Sequence, residues 1–101
     1  MKGLLEEKTK YAISFTAAMR KDMKRAQKRG YDMREASAVI LKLANDEALD
    51  DRYHDHAMGG DWVGHRELHI RPDWLLIYQK RDSVLVLELA RTGTHSDLFG
   101  K

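Results

Sequence analysis

Three apolar segments in the second half of the chain constrain the fold most strongly. Apolar and polar residues alternate over residues 65–70, and residues 74–78 and 84–90 are nearly continuous apolar runs. Each pattern predicts a β-strand. The intervening segments, residues 72–73 and 80–83, are too short for a parallel crossover. The three strands are therefore predicted to form an antiparallel meander.

The first half of the chain predicts one short strand and two helices. Residues 11–15 favour a strand, and Thr16 is a suitable N-cap for a helix that Gly30 ends. An apolar stripe predicts a second helix over about residues 33–45. Helices followed by a meander indicate the α+β class, a small twisted antiparallel sheet with both helices packed on one face.

The composition limits the classes of protein to which the chain can belong. A length of 101 residues fits one domain, predicted over residues 11–101 after an N-terminal extension over residues 1–10. The chain has no cysteine, which excludes disulfides, thiolate zinc sites and cysteine nucleophiles and suits a reducing cytosol. No apolar run is long enough for a membrane span, and the N-terminal residues do not resemble a secretory signal.

Charge is distributed unevenly along the chain. Residues 20–34 carry seven basic and two acidic side chains, whereas residues 46–55 carry five acidic side chains and one basic. A basic helix face of this density either meets phosphates or an acidic partner, or is an ordinary solvated surface. Lys21, Lys24 and Arg25 are the candidates for phosphate contacts.

Histidine is the second unusual feature, since four of the five histidines lie between residues 54 and 69. A metal site is one interpretation, because His54-x-His56 and His65-x3-His69 could supply imidazole ligands. On a strand, however, His65 and His69 lie about 13 Å apart, which is too far to share one ion. We expect His54 and His65 to be solvated surface residues.

General acid–base catalysis is the other interpretation of the histidines. His69 falls on the open face of the predicted sheet, and Asp73 begins the next strand, where cross-strand neighbours lie about 5 Å apart. His56 precedes the sheet, and His95 follows its last strand. Four protonatable groups are thus predicted to converge. Imidazole suits such proton transfer because its ordinary pKa is about 6.5.

RNA cleavage needs such a set of groups. A base removes the 2′-OH proton, an acid protonates the departing 5′-oxygen, and a cation stabilises the charged phosphorane, so no metal is required. Arg91 can supply the cation, but strict alternation directs it toward the core, so either the strand ends first or a bulge turns it outward. Phe99 is the better candidate for stacking on a base, whereas Trp74 is expected in the core.

Three segments together resemble the YafQ branch of the RelE toxin superfamily. They are His54-Asp-His56-Ala-Met, residues 62–78 with their Pro72-Asp73-Trp74 turn, and residues 91–99, which begin Arg91-Thr-Gly-Thr-His95. The resemblance extends more weakly to the basic residues 21–29 and leaves residues 1–10 outside. The family often has a proline where this chain has Ala57.

The resemblance implies a RelE-like fold and the toxin half of a bacterial type II toxin–antitoxin pair. Such toxins are cytoplasmic, assemble with a cognate antitoxin protein as hetero-oligomers, and cut mRNA in the ribosomal A site without a cofactor or metal. By motif position, His56, His69, Asp73 and His95 match the acid–base group, and Phe99 matches the C-terminal aromatic residue. We favour His95 as the acid and His69 or Asp73 on the base side. The alternatives are a non-catalytic module that binds RNA or antitoxin, and a metallohydrolase.

Overall fold

A computed structural model describes residues 8–100, so most of the predicted extension lies outside the described residues and that domain boundary stays a prediction. The helices and strands follow one another as β1 (Ala12–Phe15), α1 (Ala17–Lys28), α2 (Met33–Ala44), β2 (His56–Ala57), β3 (Arg66–Arg71), β4 (Trp74–Arg81), β5 (Val86–Gly93) and α3 (His95–Phe99). Short 3₁₀ turns at Asp51–Tyr53 and Gly60–Trp62 flank β2.

The five strands form one sheet in the order β1-β5-β4-β3-β2. Antiparallel pairing of β3, β4 and β5 confirms the predicted meander. The sheet as a whole is mixed rather than antiparallel, because β1 pairs with β5 in parallel, with Ala12 opposite Val86 and Phe15 opposite Leu89. Helices α1 and α2 lie between β1 and β5 in the chain and are part of the long connection that a parallel pair needs.

Both helices pack on one face of the sheet, as predicted. Thr16 caps α1 by accepting a hydrogen bond from the Met19 amide at 2.9 Å, and Asp32 caps α2 in the same way. The core joins the apolar stripes of the helices to alternate residues of the sheet: Met19, Ala26, Ala36, Val39, Ile40 and Leu43 meet Leu68, Ile70, Trp74, Leu76, Tyr78, Leu87 and Leu89. On the opposite face, the polar Glu67 and His69 of β3 lie across from Ile77 and Leu75 of β4, which are also fully buried.

A β-bulge in β5 sets the direction of Arg91. Ile77 pairs with Arg91, but the next pair is Tyr78 with Leu89, so Ala90 is an extra residue in β5. Arg91 therefore does not continue the alternation of the core-facing Leu89. Of the two outcomes that the sequence left open for this position, the structure shows the bulge.

The remaining differences from the sequence prediction are the ends of some elements and two short elements that the sequence did not predict. β4 runs to Arg81, so the turn moves to residues 82–85, and Val84 is exposed instead of beginning a strand. Leu85 has a φ of 53° within this turn. β2 and α3 were not predicted. Within residues 8–100, no helix has the length and apolar character to cross a membrane.

Candidate active site

Four histidine rings gather around one side of the β3–β4 turn. The ring centroid of His69 lies 5.6 Å from that of His54, 6.4 Å from that of His56 and 5.8 Å from that of His95. Glu67 and Asp73 contact these rings. We call His54, His56, His69 and His95, with Glu67 and Asp73, the histidine cluster. The structure thus brings together all four residues that the sequence predicted as catalytic.

The local structure explains why these residues meet. Alternation along β3 directs Leu68 into the core and turns Glu67 and His69 to the opposite face. Antiparallel pairing of β2 with β3 places His56 directly across from Glu67. The tight turn after β3 presents Asp73, and α3 begins with His95 immediately after β5.

Asp73 holds His95 by two hydrogen bonds. The Oδ1 atom of Asp73 lies 2.6 Å from Nδ1 of the His95 ring and accepts a second bond from the His95 backbone amide at 2.9 Å. These two donors lower the pKa of Asp73, with the backbone bond contributing most. Asp73 is therefore ionised near neutrality, and the imidazole must carry its proton on Nδ1 to donate.

His69 and His56 are fixed in the same tautomer. Nδ1 of His69 lies 3.3 Å from the Pro72 carbonyl oxygen, and Nδ1 of His56 lies 2.8 Å from the His54 carbonyl oxygen. A carbonyl can only accept, so each Nδ1 must be the donor. In neutral rings, the Nε2 atoms of His56 and His69 then hold the lone pairs that can take a proton.

Glu67 is the residue of this site that the sequence analysis did not identify. Its side chain is nearly buried, with the whole residue 7% exposed, and its Oε1 lies 3.4 Å from Nε2 of His56 and 3.8 Å from Nε2 of His69. The available signal was its i, i+2 spacing from His69 on one strand face. His54 is exposed, as expected, and also lies beside His69 with a φ of 49°.

A cavity of about 760 Å³ opens beside the histidine cluster, and its volume is within the range of small-molecule binding sites. His54 and His69 line one part of it, and two arginines, Arg52 and Arg71, add positive charge. Arg71 forms an ion pair with Glu35 of α2 across the same cavity. The arrangement suits an anionic ligand next to the imidazoles.

Arg91 is held rigidly by a buried carboxylate. Its Nε and Nη2 atoms donate to Asp22 of α1 at 2.6 and 3.1 Å, and Asp22 is only 3% exposed. This bidentate pair uses one edge of the guanidinium. The Nη1 atom of Arg91 forms no hydrogen bond with any group of residues 8–100. Arg91 is thus an oriented cation whose charge is partly balanced.

The other predicted RNA contacts differ in their accessibility. Lys21 and Lys24 are exposed on α1, and Phe99 is 37% exposed on α3, so all three can be reached by a ligand. Arg25 instead contacts Asp22, Asp97 and the Thr92 carbonyl. Among the described residues, no group of three or more histidine or acidic side chains is arranged to hold a metal ion.

Comparison with known proteins identifies the family. Residues 11–100 match the sequence profile of a family described as "Bacterial toxin of type II toxin-antitoxin system, YafQ". The chain belongs to the YafQ family of toxins. An "mRNA interferase toxin YafQ" of Escherichia coli strain K12 is 43% identical over 89 residues, which are 87% of this chain and 95% of that protein.

Solved structures of YafQ toxins and related proteins share the fold. A chain in the crystal structure of the Escherichia coli DinJ-YafQ toxin-antitoxin complex has a TM-score of 0.82 and 40% identity, covering 90% of this chain and 99% of its own length. A metal-bound toxin from Helicobacter pylori has a TM-score of 0.82 and 37% identity, covering 86% and 97%. The RelE-like α+β fold inferred from the sequence is confirmed.

Proposed function

We propose that this YafQ-family protein is an endoribonuclease that cuts mRNA in the ribosomal A site by metal-independent acid–base chemistry. The observation that carries the proposal is the pairing of His69 and His95, whose ring centroids are 5.8 Å apart and whose Nδ1 atoms are both engaged by acceptors. Each ring keeps Nε2 for proton transfer. Two such rings flanking one phosphodiester can supply both the base and the acid.

In the proposed reaction, Nε2 of His69 takes the proton of a ribose 2′-OH. The 2′-oxygen then forms a bond to the adjacent phosphorus, and the bond from phosphorus to the 5′-oxygen breaks. Protonated His95 gives its Nε2 proton to that departing oxygen. The products are a 2′,3′-cyclic phosphate and a 5′-hydroxyl, and Arg91 supplies the cation for the phosphorane.

The two carboxylates act through the imidazoles. Ionised Asp73 fixes the tautomer and orientation of His95, which favours a supporting role over the role of base. Glu67 balances the charge that appears on His69 after proton transfer. The Oε1 atom of Glu67 that faces Nε2 of His69 also faces Nε2 of His56. His56 is therefore a second proton carrier on the base side, and Phe99 is positioned for stacking on a base.

The proposed partners follow from the relatives and from charge. The Escherichia coli YafQ toxin forms a complex with DinJ, and we extend a cognate antitoxin and a toxin–antitoxin hetero-oligomer to this chain. An acidic antitoxin segment can compete for the cations that line the cavity. A reaction on translating ribosomes places the protein in the bacterial cytoplasm.

Primer extension on mRNA after brief induction of the toxin, in cells without antitoxin, tests the function. We expect new 5′ ends within codons for the wild type and a cleavage rate about 10²–10⁴-fold lower for His95→Ala. His65→Ala is the matched control, because His65 lies outside the histidine cluster, and it should cleave normally. Absence of cleavage by the wild type, or unchanged cleavage by His95→Ala, contradicts the proposal.

Cleavage by further variants and analysis of bound metal separate the alternatives. A non-catalytic module requires His69 and His95 variants to behave as the wild type, whereas charge reversal at Lys21, Lys24 and Arg25 weakens the effect. A metallohydrolase requires a stoichiometric ion in protein prepared without chelators. The proposed mechanism requires no metal ion, since side chains supply the base, the acid and the cation.

A further inference from the structure

Helix α3 carries His95 and Phe99, and an ion pair ties this helix to α1. Arg29, the C-cap of α1, donates hydrogen bonds from both Nη atoms of its guanidinium to the Asp97 carboxylate of α3. The distances are 2.6 Å from Nη1 to Oδ2 and 3.1 Å from Nη2 to Oδ1. This bidentate contact crosses 68 positions of sequence and sets both distance and orientation.

Arg25, one turn earlier on α1, reinforces the same contact. Its Nη2 atom lies 3.6 Å from Oδ2 of Asp97 and 3.1 Å from Oδ1 of the buried Asp22. The same nitrogen donates to the Thr92 carbonyl at 3.3 Å. Through this one nitrogen, Arg25 joins α1, the end of β5 and α3 in one network.

Gly93 lets these groups approach each other. A Cβ atom built at Gly93 would lie 2.8 Å from Nη2 of Arg25 and 2.9 Å from Oδ2 of Asp97. Its φ of 155° is also one that L-residues rarely adopt. Glycine at this position therefore permits the contact between the α1 arginines and α3.

Asp97 connects the network directly to the catalytic end of α3. Its Oδ2 accepts from the Thr94 backbone amide at 2.9 Å, and its own amide donates to the Thr94 hydroxyl at 3.0 Å, forming a capping box. His95 is the first residue of the helix that this box begins. A shift of Asp97 therefore shifts the backbone that carries His95.

We propose that Arg25 and Arg29 are positioning residues that hold α3, through Asp97, where the His95 ring meets Asp73 and His69. The inference rests on the proposed function for its catalytic consequence. It assigns to Arg25 a role other than the phosphate contact that the sequence predicted. Displacement of a catalytic group by about 1 Å can cost about 10²-fold in rate, so a positional role has a measurable effect.

The test compares Arg29→Met with Lys28→Met. Both variants remove one positive charge from the end of α1, but Lys28 has no ion-pair partner within residues 8–100. On ribosomes programmed with a defined A-site codon, we expect Arg29→Met to lower the cleavage rate at saturating toxin about 10- to 100-fold. Lys28→Met should retain the wild-type saturating rate.

A second readout does not require cleavage. The ¹⁵N chemical shifts of the His95 ring should report the Nδ1–H tautomer in the wild type and in Lys28→Met, and a tautomer mixture in Arg29→Met. Asp97→Asn should reproduce the Arg29→Met result while keeping an acceptor for the cap, and circular dichroism verifies that each variant is folded. If Arg29→Met keeps either the wild-type tautomer or the wild-type saturating rate, the inference is overturned.

These outcomes are distinct from failure of the proposed function. If the wild type does not cleave, the function fails, yet the ring shifts still decide whether the arginines position His95. If the wild type cleaves and Arg29→Met matches Lys28→Met, the function stands and the positioning role is wrong.

Discussion

At the scale of single residues, substitution of Asp73 is expected to change activity with little effect on the stability of the fold. It is exposed, and its described partners are the two donors of His95. Asp73→Asn keeps the shape but removes the charge that stabilises the Nδ1–H tautomer, so we expect the single-turnover cleavage rate to fall about 10²-fold. Asp61→Asn, at another exposed position, is the control. Equal rates for the two variants would argue against the role of Asp73.

Substitution of Glu67 is predicted to lower activity without lowering stability. A nearly buried carboxylate is costly to desolvate, but here it faces the Nε2 atoms of His56 and His69. Glu67→Gln removes the partner of the imidazolium, and we expect the cleavage rate to fall about 10- to 100-fold. Thermal unfolding followed by circular dichroism should show an unchanged or higher Tm. A variant with the wild-type rate would show that Glu67 is structural.

At the scale of elements, the sequence predicted the helices and strands that show a repeating apolar pattern, and it did not predict β2 and α3. α1, α2 and the meander each show a repeating apolar pattern, and the structure confirms them. β2 has two residues and α3 has five, so neither is long enough to show a period. The only sequence signal for α3 was the Thr94-x-x-Asp97 capping box.

Contacts between distant elements account for the remaining differences. The sequence indicated a strand at β1, but its parallel pairing with β5 depends on the path of the whole chain between them. For the same reason, Arg91 was recognised as a candidate cation while its partner Asp22, on α1, was not. The four catalytic candidates could be predicted from the sequence because strand alternation, turns and the family motifs all constrain their positions.

At the scale of the whole molecule, the basic face of α1 is expected to act on binding rather than on chemistry. Lys21 and Lys24 are exposed there, and their contacts with ribosomal or messenger phosphates would release counterions. Lys21→Gln and Lys24→Gln should each raise the toxin concentration that gives half-maximal cleavage and leave the saturating rate unchanged. Each lost phosphate contact should also reduce the log–log slope of affinity against salt by about 0.7–0.9.

Lys42→Gln is the matched control for this surface, because Lys42 is also exposed but lies near the C-terminal end of α2, outside the basic stretch of residues 20–34. Titration of ribosome cleavage at several salt concentrations separates a local contact from net charge, since all three variants change the total by one unit. A smaller salt slope only for the α1 variants locates the phosphate contacts on α1. An equal change in all three would mean that the overall charge, and not this face, attracts the ribosome.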